Sequence, residues 1–208
     1  MASLRENLSG AIVPVVVIDS AATAVDLVGA LGAGGITTVE ITLRTPAGLE
    51  AIRATSGLGS TIGAGTVLTP QQVDECADAG ARFIVSPGFD DDVVARAQER
   101  GLDVLPGIAT ATELQRALRA GLDSVKFFPA DRLGGLPTIS SLAGPFPQVG
   151  FMPSGGVAAA NAAEYLAHPS VFAISGSWMV PRDAIAAGDF DTVARLSAAA
   201  MTMTEAHR

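Results

Sequence analysis

Asp123-Ser-Val-Lys-Phe-Phe-Pro129 reads as a strand buried on both faces, a short and nearly continuous apolar run with one lysine, Lys126, inside it. The tripeptide Gly-Leu-Asp that leads into it at 121–123 occurs once before, at 101–103, where it leads into the apolar run Leu102–Ile108. A glycine that stops a helix, followed at once by an apolar run, is the joint between a helix and the next strand. Working outward, runs of strand character recur at Ile12–Ile18, Thr37–Leu43, Thr61–Val67, Ala81–Pro87, Leu102–Ile108, Leu122–Phe128, Val149–Gly155 and Ser170–Gly176. Helical spacings lie between them: Ala24, Leu27, Val28 and Leu31 share one side of Ala21–Leu31, and Val93, Val94 and Ala97 follow Asp90–Asp92. Thr69-Pro-Gln-Gln72 and Thr110-Ala-Thr-Glu113 have capping-box spacing, with Pro70 at a first helical position. Gly32, Gly34, Gly35, Gly80, Gly101 and Gly121 stand where helices should stop.

Strands alternating with helices imply a parallel sheet, and eight such units close most naturally into one α/β domain over residues 1–208, a single (β/α)8 TIM barrel at the short end for that fold. An open doubly wound sheet is the alternative, but no G-x-G-x-x-G follows the first strand. Leu133–Pro147, with Gly134-Gly135 and three prolines, is the least regular stretch and is expected to carry only a short helix. The tail after Pro181 reads as one or two helices.

A formal charge of -8 argues against nucleic acid and anionic membranes as partners, so a small anionic substrate would need a local positive site. The N-terminal residues lack a signal pattern and no apolar stretch is long enough to span a bilayer, which points to the cytoplasm. One cysteine, Cys76, excludes an internal disulfide, and its place in an apolar helical pattern points to packing. With only two histidines, His168 and His207, no metal-ligand cluster is visible and no metal is expected.

Lys126 is the only lysine in the chain. A charged ammonium in a buried strand costs several kcal/mol unless it is paired or made neutral, and burial favours the neutral amine, a nucleophile toward ketones. The plainer alternatives are an exposed edge or a structural ion pair. In a parallel barrel the site gathers at the carboxyl ends of the strands. Period two places Glu40, Thr42 and Arg44 on one face of Val39-Glu-Ile-Thr-Leu-Arg44, with Val39, Ile41 and Leu43 on the other. An inward Glu40 can balance Lys126 and move protons, or can be no more than a structural partner of Arg44 or Lys126. Arg44, followed by Thr45-Pro46 at an expected helix start, can take a carboxylate with two parallel hydrogen bonds. Gly63-Ala-Gly-Thr66 and Ser86-Pro-Gly88 end the third and fourth runs with small residues that let a ligand approach, and Thr66 adds a hydroxyl. Pro153-Ser-Gly-Gly156 and Ile174-Ser-Gly-Ser177 end the last two runs, each before an expected helix start, where backbone amides bind phosphate; neither supplies a lysine or arginine.

With these residues in hand, the chain closely resembles the aldolases of 2-keto-3-deoxy-6-phosphogluconate (KDPG) and 4-hydroxy-2-oxoglutarate (KHG) over almost its full length. Val39-Glu-Ile-Thr-Leu-Arg-Thr45, Gly63-Ala-Gly-Thr-Val-Leu68, Ser86-Pro-Gly88, Leu105-Pro-Gly-Ile108, Val125-Lys-Phe-Phe-Pro129, Ala143-Gly-Pro-Phe146 and Gly176-Ser-Trp178 carry the likeness. The resemblance implies a cytoplasmic (β/α)8 homotrimer without metal or other cofactor, acting on a phosphorylated keto acid and releasing pyruvate. It implies that Lys126 forms the Schiff base, that Glu40 transfers protons and that Arg44 and Thr66 hold the pyruvate portion. Gly155, Gly156, Gly176 and Ser177 would hold the phosphate end, with Ser154 standing where the family pattern has threonine. Some members carry a basic residue soon after the first strand, where this chain has Ile18-Asp-Ser20. Two other readings stay open. A phosphosugar isomerase or epimerase would share the carboxylate and phosphate loops but have no need of the buried lysine; a catalytically silent assembly protein would keep the fold and let the site decay.

Overall fold

The computed structural model describes residues 4–8 and 10–205, so His207 lies outside the described residues. Among the described residues nine strands follow in order: β1 (Ala11–Val16), β2 (Thr38–Thr42), β3 (Thr61–Gly65), β4 (Phe83–Val85), β5 (Asp103–Leu105), β6 (Gly107–Ile108), β7 (Ser124–Phe127), β8 (Gly150–Pro153) and β9 (Ala173–Gly176). Each expected run holds a strand shorter than the run itself, and only β1 starts outside its run, one residue early at Ala11. The fifth run holds two, because Pro106 between β5 and β6 has no N–H to donate to a ladder. Its carbonyl still accepts from the backbone N–H of Lys126 at 3.0 Å.

All ladder pairs are parallel. One sheet runs β5-β4-β3-β2-β1-β9 and a second runs β6-β7-β8. Parallel bridges Phe151↔Val171 and Ser154↔Ser175 join the β8 and β9 segments. The result is an α/β fold on a curled parallel sheet. No described helix is long and apolar enough to cross a membrane.

Period two sorts the strand side chains into two buried clusters. Ile12, Val16, Val39, Ile41, Ile62 and Ile84 meet Leu27, Leu31, Ile52, Val73, Val93 and Leu114 from the helices. Leu8, Val13, Phe83, Val85, Leu105, Met152 and Phe172 fill the other face. Leu8, from the segment before β1, joins this second cluster.

The helical spacings fold as expected. Ala24–Ala33 follows a 3-10 turn at Ala21–Thr23 and buries Ala24, Leu27, Val28 and Leu31. Asp91–Glu99 buries Val93, Val94 and Ala97, and Asp90 caps it by accepting from Val93 N–H. Thr110 and Glu113 form the complete capping box of Ala111–Arg119. In Pro70–Asp78 only half of the box forms: Thr69 accepts from Gln72 N–H, while Gln72 Oε1 reaches Leu68 N–H instead of Thr69. Gly101 and Gly121 both sit at positive φ, and the next residue of each, Leu102 or Leu122, donates back to Ala97 or Ala117, so the repeated Gly-Leu-Asp is a repeated helix stop.

Three expectations are corrected. Gly32 lies inside its helix, which ends at Gly34; there a Cβ would stand 2.4 Å from the Ser197 Cβ of the last helix, Phe190–Glu205, so Gly34 also allows two helices to meet. Thr45-Pro46 does not start a helix, since the next one is Gly48–Thr55 and Thr45 Oγ1 is occupied donating to Ile18 O. Leu133–Pro147 carries a nine-residue helix, Gly135–Ala143, because Pro137 falls in its first turn, where backbone N–H groups have no intrahelical partner. The tail holds Arg182–Ala187 and Phe190–Glu205.

Candidate active site

β7 lies between β6 and β8, so Lys126 is on no edge, and its side chain is only 4% exposed. Nζ stands 3.3 Å from Glu40 Oε1 and 5.4 Å from the centre of the Phe128 ring. Glu40 comes from β2 and is fully buried, and it pairs with Lys126, not with Arg44. Its second oxygen, Oε2, has no hydrogen-bond partner. A purely structural pair gains back the cost of burying two charges by satisfying every lone pair, and here one carboxylate oxygen is left as a free acceptor.

The glycines of β3 make room for this pair in a way that sequence reasoning missed. Gly63 and Gly65 read as openings for a ligand. A Cβ on Gly63 would lie 2.2 Å from the Phe83 ring, and one on Gly65 would lie 2.2 Å from Glu40 Oε1. These positions are therefore empty of side chain so that a core ring and the site carboxylate can lie against the strand. The signal was available as glycine at alternate positions on one face of a strand.

Thr66, just past β3, has φ 60, a left-handed conformation that a β-branched residue avoids at a cost of order 1–3 kcal/mol. Its Oγ1 accepts from Arg44 Nε at 3.2 Å, which ties the arginine to the rim. Strain of this kind marks places held for function, and nothing in the residue order reveals it. Arg44 and Thr66, together with Ser154, Gly155, Gly156, Gly176 and Ser177, line one cleft of about 420 Å³ at the carboxyl ends of the strands. Pro87, from the expected Ser86-Pro-Gly88 rim, lines it too, as do Phe128, Val15 and Val157, which were not foreseen. Lys126 and Glu40 are not among the residues that line this cleft; Phe128, which does line it, has its ring centre 5.4 Å from Lys126 Nζ.

Ser154 and Ser175 are buried side by side, with Ser175 Oγ 3.4 Å from Ser154 Oγ. Gly155 and Gly156 both have φ 85, a conformation that strongly favours glycine. The Gly155 carbonyl accepts from Asp131 N–H and the Gly156 carbonyl from Asn161 Nδ2, so the loop has a set shape. Neither glycine loop leads directly into a helix, contrary to expectation: Ala162–Leu166 begins beyond Asn161, and Arg182–Ala187 follows Pro181. The positive φ at both glycines and the turn Val180 N–H to Ser177 O carry the chain away from the sheet first.

Among the described residues, no three His, Cys, Asp or Glu side chains gather as a metal site. His168 is occupied in a loop, accepting from Ser170 N–H at Nδ1 and meeting Ser140 Oγ at Nε2. Cys76 faces the helix-side core, and burial first, then the charge of Glu75, pushes its thiol up to about 12.

An amine and a carboxylate buried in contact, under a cleft at the carboxyl ends of parallel strands, form the class of site equipped for covalent chemistry at a carbonyl carbon. Residues 4–196 match the family described as "Aldolase: KDPG and KHG aldolase", and this chain belongs to that family. It is 50% identical over 188 residues to the 2-dehydro-3-deoxy-phosphogluconate aldolase of Treponema pallidum (strain Nichols), covering 89% of this chain and 90% of that protein. Among solved structures it is similar to KDPG aldolase from Legionella pneumophila with pyruvate captured at low pH as a covalent carbinolamine intermediate, at TM-score 0.89 and 39% identity over 93% of this chain and 94% of the other. It is also similar to the KDPG aldolase of Zymomonas mobilis ZM4 with 3-phosphoglycerate, at TM-score 0.87 and 41% identity over 94% of this chain and 92% of that one.

Proposed function

We propose that this chain is a Schiff-base aldolase that cleaves 2-dehydro-3-deoxy-6-phosphogluconate to pyruvate and D-glyceraldehyde 3-phosphate, and by the same steps 4-hydroxy-2-oxoglutarate to pyruvate and glyoxylate. The observation that carries the reading is the buried contact of Lys126 Nζ with Glu40 Oε1 at 3.3 Å. Oε1 is within reach of an ammonium proton, and the free amine then adds to the C2 ketone. The carbinolamine loses water to a protonated imine as Glu40 returns that proton to the departing hydroxyl, which restores the carboxylate. Glu40 takes the proton of the C4 hydroxyl, the C3–C4 bond breaks into the imine, and the aldehyde leaves. The enamine takes a proton at C3, and water releases pyruvate and restores Lys126.

Arg44, oriented by Thr66, takes the substrate carboxylate in this reading, which the hydrogen bond between them supports. Ser154, Gly155, Gly156, Gly176 and Ser177 take the distal end, supported by their sharing the cleft with Arg44. No metal or organic cofactor enters these steps. The proposal extends to one domain, a complete (β/α)8 barrel closed through the Phe151↔Val171 and Ser154↔Ser175 bridges and the shared run of β5 and β6. It also extends to a cytoplasmic homotrimer, as the family resemblance implies; light scattering that finds a monomer at micromolar concentration counts against the trimer. Pyruvate release from each substrate by the wild-type chain and by Lys126→Met tests the chemistry. Turnover by Lys126→Met at the wild-type rate would overturn it.

A further inference from the structure

A second cavity of about 430 Å³ adjoins the cleft, and Val15, Arg44 and Ser177 line both. Arg182 lines this second cavity and not the first. The two glycine loops contain no cation. If Arg44 is committed to the substrate carboxylate, a phosphate dianion lying past Ser177 meets only backbone and hydroxyl groups in the cleft itself. The one cation besides Arg44 that lines either cavity is Arg182.

Arg182 is held by Asp19, with Nη2 donating to Oδ1 at 2.9 Å and to Oδ2 at 2.8 Å. Both bonds leave one nitrogen, so this is not the two-nitrogen fork that fixes a guanidinium on a carboxylate. Both side chains are about 60% exposed, at 60% and 61%, and an exposed pair of this kind is weakly held. A phosphate carries roughly twice the charge of the carboxylate and offers three acceptor oxygens, so it competes well for the same guanidinium.

We propose that Arg182 is the cationic contact for the substrate's distal phosphate, and that Asp19 holds the guanidinium at the rim until the phosphate takes it. This rests on the aldolase reading above and adds to it a specificity residue outside the glycine loops. Arg182 touches no reacting atom, so its effect falls on the choice of substrate and not on bond cleavage.

The test is the ratio of kcat/KM for the phosphorylated six-carbon keto acid to that for its dephosphorylated analogue. Arg182→Ala should lower the ratio about tenfold, the size of one charge-assisted hydrogen bond, and Arg182→Lys should recover part of it. Asp19→Asn should raise the ratio severalfold, because it frees the guanidinium while keeping the side-chain shape. Thermal unfolding of each variant, expected to stay near wild type for an exposed pair, checks that the ratio is not reporting a damaged fold. An unchanged ratio in Arg182→Ala, or a loss in Asp19→Asn as large as in Arg182→Ala, overturns the inference and leaves a surface ion pair. A wild-type chain that releases no pyruvate from either substrate instead overturns the aldolase reading, and the inference with it.

Discussion

Gly65→Ala is the substitution that separates site geometry from site chemistry. Gly65 is not at positive φ, so its backbone accepts alanine and the added methyl acts only through the space it fills. That methyl carbon would lie 2.2 Å from Glu40 Oε1, 2.7 Å from Cγ and 2.8 Å from Cδ, against an ordinary contact of 3.4 Å or more. The carboxylate must retreat by about 1 Å, and a misplacement of that size costs about 10²-fold in rate, or about 2.7 kcal/mol of barrier. Glu40 is fully buried, so it has little room to recover the contact with Lys126 from another direction. We therefore expect kcat/KM for pyruvate release to fall about 100-fold, with cooperative thermal unfolding retained. Gly63→Ala is the contrast: its methyl would meet the Phe83 ring at 2.2 Å, and overpacking a core ring should lower the melting temperature first. In a Glu40→Gln background Gly65→Ala should cost little more, because both changes remove the same acceptor. A Gly65→Ala enzyme within about threefold of wild type, or losses that simply add in the double variant, would refute the reasoning.

Three further outcomes are expected. Glu40→Gln keeps the shape but removes the proton acceptor, so turnover should drop about 10²–10⁴-fold in the same assay while the melting curve persists. Cys76, with its thiol pushed up to about 12 by burial, should stay protonated and silent to a disulfide reagent at pH 8 in the native protein and react once the chain is unfolded; rapid native labelling would contradict its placement. Hydrogen bonds from Arg96 and then Arg100 hold the Asp74 carboxyl below its usual value of 3.8, so its contribution to stability is present above that value and is lost as pH falls through the lower folded one. Asp74→Asn should therefore lower the melting temperature at pH 7 more than at strongly acid pH, and an equal shift at both would sink this assignment.

What the residue order reveals about this protein follows from periodicity. The buried pairing of Glu40 with Lys126 was legible because a charged residue inside an apolar strand has few inexpensive explanations, and the shared cleft of Arg44, Thr66, Ser154 and Ser177 because strand ends converge in a parallel sheet. The helix stops at Gly101 and Gly121 were legible because only a local backbone shape was at stake. Features that depend on what lies across the fold were hidden. Gly65 is small because of a carboxylate 25 positions earlier, Thr66 is strained at φ 60, and Arg182 meets Asp19 from the far end of the chain. The split of the fifth run at Pro106 was within reach, since a proline in a central strand breaks its ladder. The helix through Pro137 was obscured because a proline's tolerance depends on which turn it occupies.

Lys126 is the only lysine in the chain, which makes the central claim open to one direct measurement. Incubation with pyruvate and borohydride, followed by mass mapping of the digested protein, should place one reduced pyruvate adduct on the peptide that contains Lys126 and abolish activity in step with labelling. Activity retained after exhaustive treatment, with no adduct on that peptide, would contradict the account.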